Sequence, residues 1–263
     1  MNIFEGLFHL LILNFEEFVT IFNNIPVEIT WILFLFFCFT SILIFLKIFG
    51  EVGLYVYTVI AVIAANIQVL KIVEFPFFKD PVALGTILFC STYLCTDILA
   101  EYYGTKSARK NIFLGFSGFL LITLIMLFTL GFKPIDEMSI SLEYAWATSI
   151  QDNMLSIFMP FPILFGASMV AYLFSQFFDV WFFEKISFLT KGKFLWLRNN
   201  FSTMISSLLD NIIFSLFAWI IFNPNPLDFS TVFFTYILGT YFLRILVAIF
   251  DTPFVYLAKK FVS

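Results

Sequence analysis

Seven apolar stretches, each close to the length of a bilayer crossing, constrain this chain more than any other feature: about residues 30–49, 53–73, 84–104, 111–132, 160–184, 202–222 and 231–258. A helix needs about 20 consecutive apolar residues to cross the hydrocarbon core, so a chain of 263 residues has little left for anything else. The composition agrees. Hydrophobic residues make up 61% and charged residues 12%, with a mean hydropathy of +1.00, whereas a soluble domain carries about 25% charged residues. Half that charge cannot cover a water-facing surface, which excludes a soluble domain, and the same numbers exclude disorder. The runs are too long and too continuous for the alternating strands of an outer-membrane barrel. The expected fold is all-α, a polytopic helical membrane protein of about seven transmembrane helices.

Residues 1–24 carry Phe4, Leu7, Phe8, Leu11, Phe15, Phe18 and Phe22 together with Glu5, Glu16 and Glu17. They are too short and too acidic to span and are expected to form an interfacial amphipathic helix. Residues 25–52 then hold one N-terminal span and residues 53–263 a six-span core. No secretory signal is expected, because the first 20 residues contain no Lys or Arg. Basic residues set the orientation. An outside N-terminus puts Lys47, Lys106, Arg109, Lys110, Lys185, Lys191, Lys193, Arg198, Lys259 and Lys260 on the cytoplasmic side, with the C-terminus. Only Lys71, Lys79 and Lys133 remain outside, with acidic residues such as Glu28, Glu74, Asp80, Asp136, Glu137, Glu143, Asp152 and Asp228. The sequon at Asn200-Phe201-Ser202 falls on the wrong side for glycosylation.

Polar residues inside the spans carry the chemistry. Tyr93, Asp97 and Glu101 follow one another at i, i+4 and i+8, and so share a helical face. Tyr172, Gln176 and Asp179 share a face of the fifth span, Thr203, Ser206 and Asp210 lie in the sixth, and Tyr241, Arg244 and Asp251 form a stripe in the seventh. Asn66 and Gln68 lie in the second. A charge at the bilayer centre costs about 2.5–3.5 kcal/mol on insertion scales, so these groups must face one another around a polar cavity. Structural glue between helices is the plainer reading, but it requires fewer ionisable groups. Four aspartates face one obvious cation, Arg244, and at least two carboxylates are therefore protonated, bridged by water or paired with something that arrives. Asp251 lies two turns from Arg244, about 10.5 Å along the axis. Arg244 is thus expected to pair with an aspartate of another span, which an arginine can hold bidentately.

The exclusions are equally definite. The single histidine, His9, removes histidine metal clusters, and Cys38, Cys90 and Cys95 sit in apolar runs without ligand spacing. No metal and no cofactor are expected. There is no Walker motif, so nucleotide hydrolysis would have to come from a partner, and no Ser/His or His-based metal constellation, which leaves an aspartyl dyad as the one chemistry open to an intramembrane hydrolase; the chain reads as no enzyme.

Four segments resemble the queuosine precursor transporters, also called the vitamin uptake transporter family, over roughly residues 55–260: Thr96-Asp97-Ile98-Leu99-Ala100-Glu101-Tyr102-Tyr103-Gly104 with a basic turn at Lys106, Arg109 and Lys110; Ser175-Gln176-Phe177-Phe178-Asp179-Val180-Trp181; Trp196-Leu197-Arg198-Asn199-Asn200-Phe201-Ser202-Thr203; and Ser206-Ser207-Leu208-Leu209-Asp210-Asn211. In this order and spacing they are specific. The resemblance implies a multi-pass protein of the bacterial inner membrane that imports 7-deazaguanines (the cyano or aminomethyl precursor, or queuine) for tRNA modification. It acts as a secondary or facilitative transporter, its partners are that small molecule and the bilayer, with no nucleic acid, and a homo-oligomer is left open. Shorter members have six spans and a lysine where this chain has Arg244.

A deazaguanine offers N1–H and an exocyclic amine, which a carboxylate of Asp97, Asp179 or Asp210 can accept together. Its O6 wants a donor such as Asn66, Gln176 or Asn200, and its ring an aromatic face, for which Tyr93, Tyr172, Trp196 and Tyr241 are candidates. With Glu101 and Arg244 these complete the candidate site. Two rivals stay open: a vitamin-binding subunit that needs a separate ATPase complex, and a non-transporting membrane scaffold.

Overall fold

The computed structural model describes residues 3–76, 81–135, 144, 146–159 and 161–262. Lys79, Asp80, Asp136, Glu137 and Glu143, read above as outer-side charges, lie outside the described residues. The stretch expected to be one surface helix is two, α1 (Ile3–Leu11) and α2 (Phe15–Asn23), packed on each other. Leu13 takes a left-handed conformation between them, and the Asn14 side chain accepts from the Glu17 N–H to start α2. Gly6 lets the pair close, since a Cβ there would lie 2.8 Å from the Phe22 ring.

The long helices are α3 (Val27–Phe49), α4 (Glu51–Gln68), α5 (Thr86–Tyr102), α6 (Thr105–Gly131), α8 (Phe161–Leu189), α9 (Leu195–Leu216) and α11 (Thr240–Ala258). Between α6 and α8 lies α7 (Trp146–Phe158), against α6, at about 20 Å too short to span. Among the described residues, five segments are long and apolar enough to cross a membrane: α3, α4, α6, α9 extended to Ile221, and Phe229–Ala258, which ends in α11. α5 and α8 complete a polytopic all-α bundle. α5 is its hub: 13 of its 17 residues are buried, and α3, α4, α6, α8, α9 and α11 all pack on it. α6 by contrast turns Phe113, Leu121, Ile125 and Phe128 outward, as a lipid-facing helix does.

Three departures from regular helix shape one end of the bundle. The second span stops at Gln68, because the chain turns into an antiparallel hairpin of β1 (Ile72–Val73) and β2 (Val82–Ala83). α9 continues through Phe217–Ile221 as a wide turn with i→i+5 hydrogen bonds. α10 (Phe229–Thr231) leads into α11 through a second such stretch, Val232–Gly239. Asp228 caps α10, and hydrogen bonds from Thr231 hold its carboxyl below the usual carboxylate range. Wide turns of this kind are rare and concentrate at functional sites.

At the other end the basic residues gather. Lys47 lies over Phe261, Lys110 over Tyr55 and Lys185 over Trp181, while Arg109 pairs with Glu184.

Candidate functional site

α9 carries a polar ridge through the bundle. Asn199, Thr203, Ser206 and Asp210 share one helical face, and Arg198, Ser202, Ser207, Asn211 and Ser215 flank it, all buried. From Arg198 to Ser215 the ridge runs about 26 Å at 1.5 Å per residue, most of the hydrocarbon thickness. α5, α8 and α11 meet it in three layers roughly one helical turn apart, called outer, middle and inner after the orientation expected from the basic residues.

The outer layer is an ion pair. Arg244 Nη1 donates to Asp210 Oδ2 at 2.7 Å and to the Ser207 carbonyl at 3.4 Å, and Ser175 donates to Asp210 Oδ1 at 3.2 Å. Arg244 therefore pairs across spans, as the distance to Asp251 requires. It does so through one nitrogen, however, and not bidentately: Nε is buried without a partner. Tyr93 is fully buried beside Ser175, Asp210 and Arg244.

The middle layer holds Asp97 and Asp179. Thr203 donates to Asp97 Oδ2 at 3.3 Å and Ser206 to Asp179 Oδ1 at 2.6 Å. Gln176 stands apart from the acids and bridges to α5, donating to Thr92 Oγ1 at 2.7 Å and accepting from Thr96 Oγ1 at 3.2 Å.

The inner layer holds a second ion pair. Arg198, expected among the loop cations, is buried in the first turn of α9 and paired with Glu101 through Nε, at 3.1 Å, and Nη2. Its Nη1 donates to the carbonyls of Gly192 and Lys193. That turn is wound left-handed at Lys191, Gly192 and Phe194, so its carbonyls point back at the guanidinium, which also lies 5.3 Å from the centre of the Phe183 ring. Asp251 completes the layer by accepting from Asn199 Nδ2 at 2.7 Å. The four aspartates therefore still face Arg244 alone among the described residues, while Glu101 has a cation of its own.

Above the outer layer a cleft opens between the hairpin and the widened helices. Its lining includes Phe89, Ser168, Asp210, Asn211, Trp219, Tyr236 and Arg244. Each wide turn delivers one ring to it, and Trp219 and Tyr236 stand 4.8 Å apart. Asn211 holds the second turn open by donating to the Ile237 carbonyl at 2.7 Å and to Thr240 Oγ1 at 2.8 Å. The enclosed volume is about 70 Å³, room for about two waters.

Of the residues picked from the sequence, Tyr93, Asp97, Glu101, Asp179, Asp210 and Arg244 line the three layers, with Gln176 beside them. Asn66 and Asn200 do not join them. Asn66 donates to the Val62 carbonyl of its own helix. Asn200 lies off the α9 ridge, donating to Trp196 O and Thr252 Oγ1 in an open surface groove with Trp196 and Phe201. The aromatic candidates also divide. Tyr172 meets α6, where a Cβ on Gly115 would clash with its hydroxyl, and Tyr241 donates to the Met204 carbonyl. Arg198, Asn199, Asn211, Trp219 and Tyr236 were missed. A full reading of the polar period along 199–215 would have found Asn199; nothing local marks the two rings.

A family model described as "Putative vitamin uptake transporter" matches residues 83–258. The protein named "Probable queuosine precursor transporter" in Bacillus subtilis (strain 168) is 34% identical over 233 residues, covering 88% of this chain and 94% of the relative. No solved structure matches.

Proposed function

The chain belongs to the family of putative vitamin uptake transporters, and on that premise we propose that it imports queuosine precursors, 7-deazaguanine bases, across the bacterial inner membrane. The observation that carries this reading is the outer cleft. It combines two converging rings with a carboxylate and an unpartnered guanidinium N–H at its floor. Asp210 accepts from N1–H and the exocyclic amine of the base, Arg244 Nε donates to O6, and the ring lies between Trp219 and Tyr236. A bicyclic base exceeds the enclosed space, so those two rings part to admit it. Tyr93 forms the floor beneath the ion pair.

Access to the other side is blocked by the inner layer, where Arg198 ties Glu101 to the 192–193 turn. Release follows when that pair opens, which makes the chain a transporter of the alternating-access kind and no enzyme. The N-terminus is outside and the C-terminus cytoplasmic: with Arg198 removed from the loops the basic count is still nine against three, and Lys47, Arg109, Lys110 and Lys185 gather at one end of the bundle.

Uptake of labelled cyano and aminomethyl precursors and of queuine tests the reading. The chain is expressed alone, in a host that cannot make queuosine and has no energising ATPase complex. Uptake that Asp210→Asn abolishes is expected. Binding without uptake would instead identify a subunit that needs such a complex, and neither binding nor uptake a scaffold.

A further inference from the structure

The middle layer is the one without a cation. The carboxyl groups of Asp97 on α5 and Asp179 on α8 face each other within hydrogen-bonding reach, and neither residue is more than 1% exposed. One oxygen of each takes a hydroxyl from α9, and the others, Asp97 Oδ1 and Asp179 Oδ2, are buried without a partner. Asn199 Oδ1 and Asp251 Oδ2, one layer inward, are buried and unpartnered as well.

The surrounding groups do not neutralise the pair. α9 brings the hydroxyls of Ser202, Thr203 and Ser206, and α11 brings another acid, Asp251. Arg244 is held by Asp210 one turn outward, and Arg198 by Glu101 one turn inward. Tyr93 lies a turn outward on α5 itself. The opposite face of α5, at Ser91 and Cys95, meets Cys38 and Tyr57, and Tyr172 of α8 stands near Cys95. Two carboxyl oxygens satisfy each other only with a proton between them, and two bare carboxylates this close in a low dielectric repel strongly. Among the described residues no group of three or more His, Cys, Asp or Glu could hold a metal ion. A proton needs no coordination shell.

We propose that the Asp97–Asp179 pair is a proton-binding site that couples proton entry to base import, a role that rests on the import reading above. An O–H bond forms on the pair with a proton from outer water and breaks when that proton passes to cytoplasmic water; nothing is oxidised or reduced. The coupling path is short. Ser175, which holds Asp210 at the cleft floor, is one turn from Asp179 on α8, and Asp210 is one turn from Ser206 on α9. Base seated on Asp210 therefore shifts the hydroxyls that hold the pair.

The test uses the full chain in liposomes, with labelled cyano-7-deazaguanine, which is neutral, as the probe. An inward proton gradient should drive accumulation that a protonophore collapses and that replacing sodium by potassium leaves intact. Added base should acidify a pH dye trapped inside vesicles of the unaltered protein. Asp97→Asn and Asp179→Asn should each lose accumulation yet still exchange labelled for unlabelled base. Accumulation driven by sodium, accumulation surviving in both Asn variants, or no internal acidification overturns the proposal. Exchange by the unaltered protein without gradient-driven accumulation removes the proton site alone. Absence of any exchange removes the import reading, and the proton site with it.

Discussion

Arg244→Gln strips Asp210 of its cation while leaving the carboxylate buried. The two side chains are only 8% and 10% exposed, so water cannot take over the charge. Removing one partner of a buried pair costs about 3–5 kcal/mol, and a neutral hydrogen bond from the glutamine amide returns about 1 kcal/mol. A net loss of about 2–4 kcal/mol is expected. Asp210→Asn with Arg244→Gln removes both charges together and should recover much of that loss, giving a coupling of at least about 1 kcal/mol in the double-mutant cycle. Arg244→Lys should lose less than half as much as Arg244→Gln, because one nitrogen makes both of Arg244's hydrogen bonds. The assay is the unfolding equilibrium in mixed micelles of rising denaturing-detergent fraction, followed by tryptophan fluorescence. Arg244→Gln as stable as the parent, or single losses that simply add in the double variant, would refute the reasoning.

Glu101→Gln should loosen the inner closure, so that a cysteine placed at Thr203 reacts faster with a membrane-impermeant thiol reagent in inside-out vesicles; an unchanged rate counts against the closure. Gly115→Ala should cost about 1–3 kcal/mol through overpacking against the Tyr172 hydroxyl. Tyr172→Phe should rescue it and be neutral by itself, since that hydroxyl is buried without a partner. Trp219→Ala should weaken binding of the cyano precursor by about 1–3 kcal/mol, the range for a base stacked on an aromatic side chain, and an unchanged Kd in a binding titration would place the base elsewhere.

The spans were legible because hydropathy is additive along the chain: any apolar run of sufficient length must enter the bilayer whatever its neighbours do. The layers were partly legible, since the period of 93, 97 and 101 fixes a shared face and the cost of an unpaired intramembrane charge demands a partner. That Arg244 would look across to another span followed from the distance to Asp251 alone. The inner pair was hidden because Arg198 sits where a loop and a helix start have the same composition, and the carbonyls that receive it belong to a left-handed turn. Asn200 adjoins Asn199 in sequence, but helical rotation turns it off the ridge of Asn199, Thr203 and Ser206, which residue type alone does not reveal. Trp219 and Tyr236 were lost in a chain that is 21% aromatic, where another ring carries little information. Their placement depends on the wide turns, the second of which is held by Asn211 reaching across to Ile237 and Thr240.

The Asp210–Arg244 pair also dictates an order of assembly. The ribosome makes Asp210 before Arg244, and the span bearing the aspartate reaches the bilayer ahead of the span bearing its counter-charge. During that interval Ser175 on α8 is the group already made that can hold the carboxylate, so α8 and α9 have reason to enter the lipid as one hairpin. A chain arrested before Thr240 would expose an acid to hydrocarbon, at about 2.5–3.5 kcal/mol on insertion scales, and present membrane quality control with a handle. Completion of the last helix removes that handle.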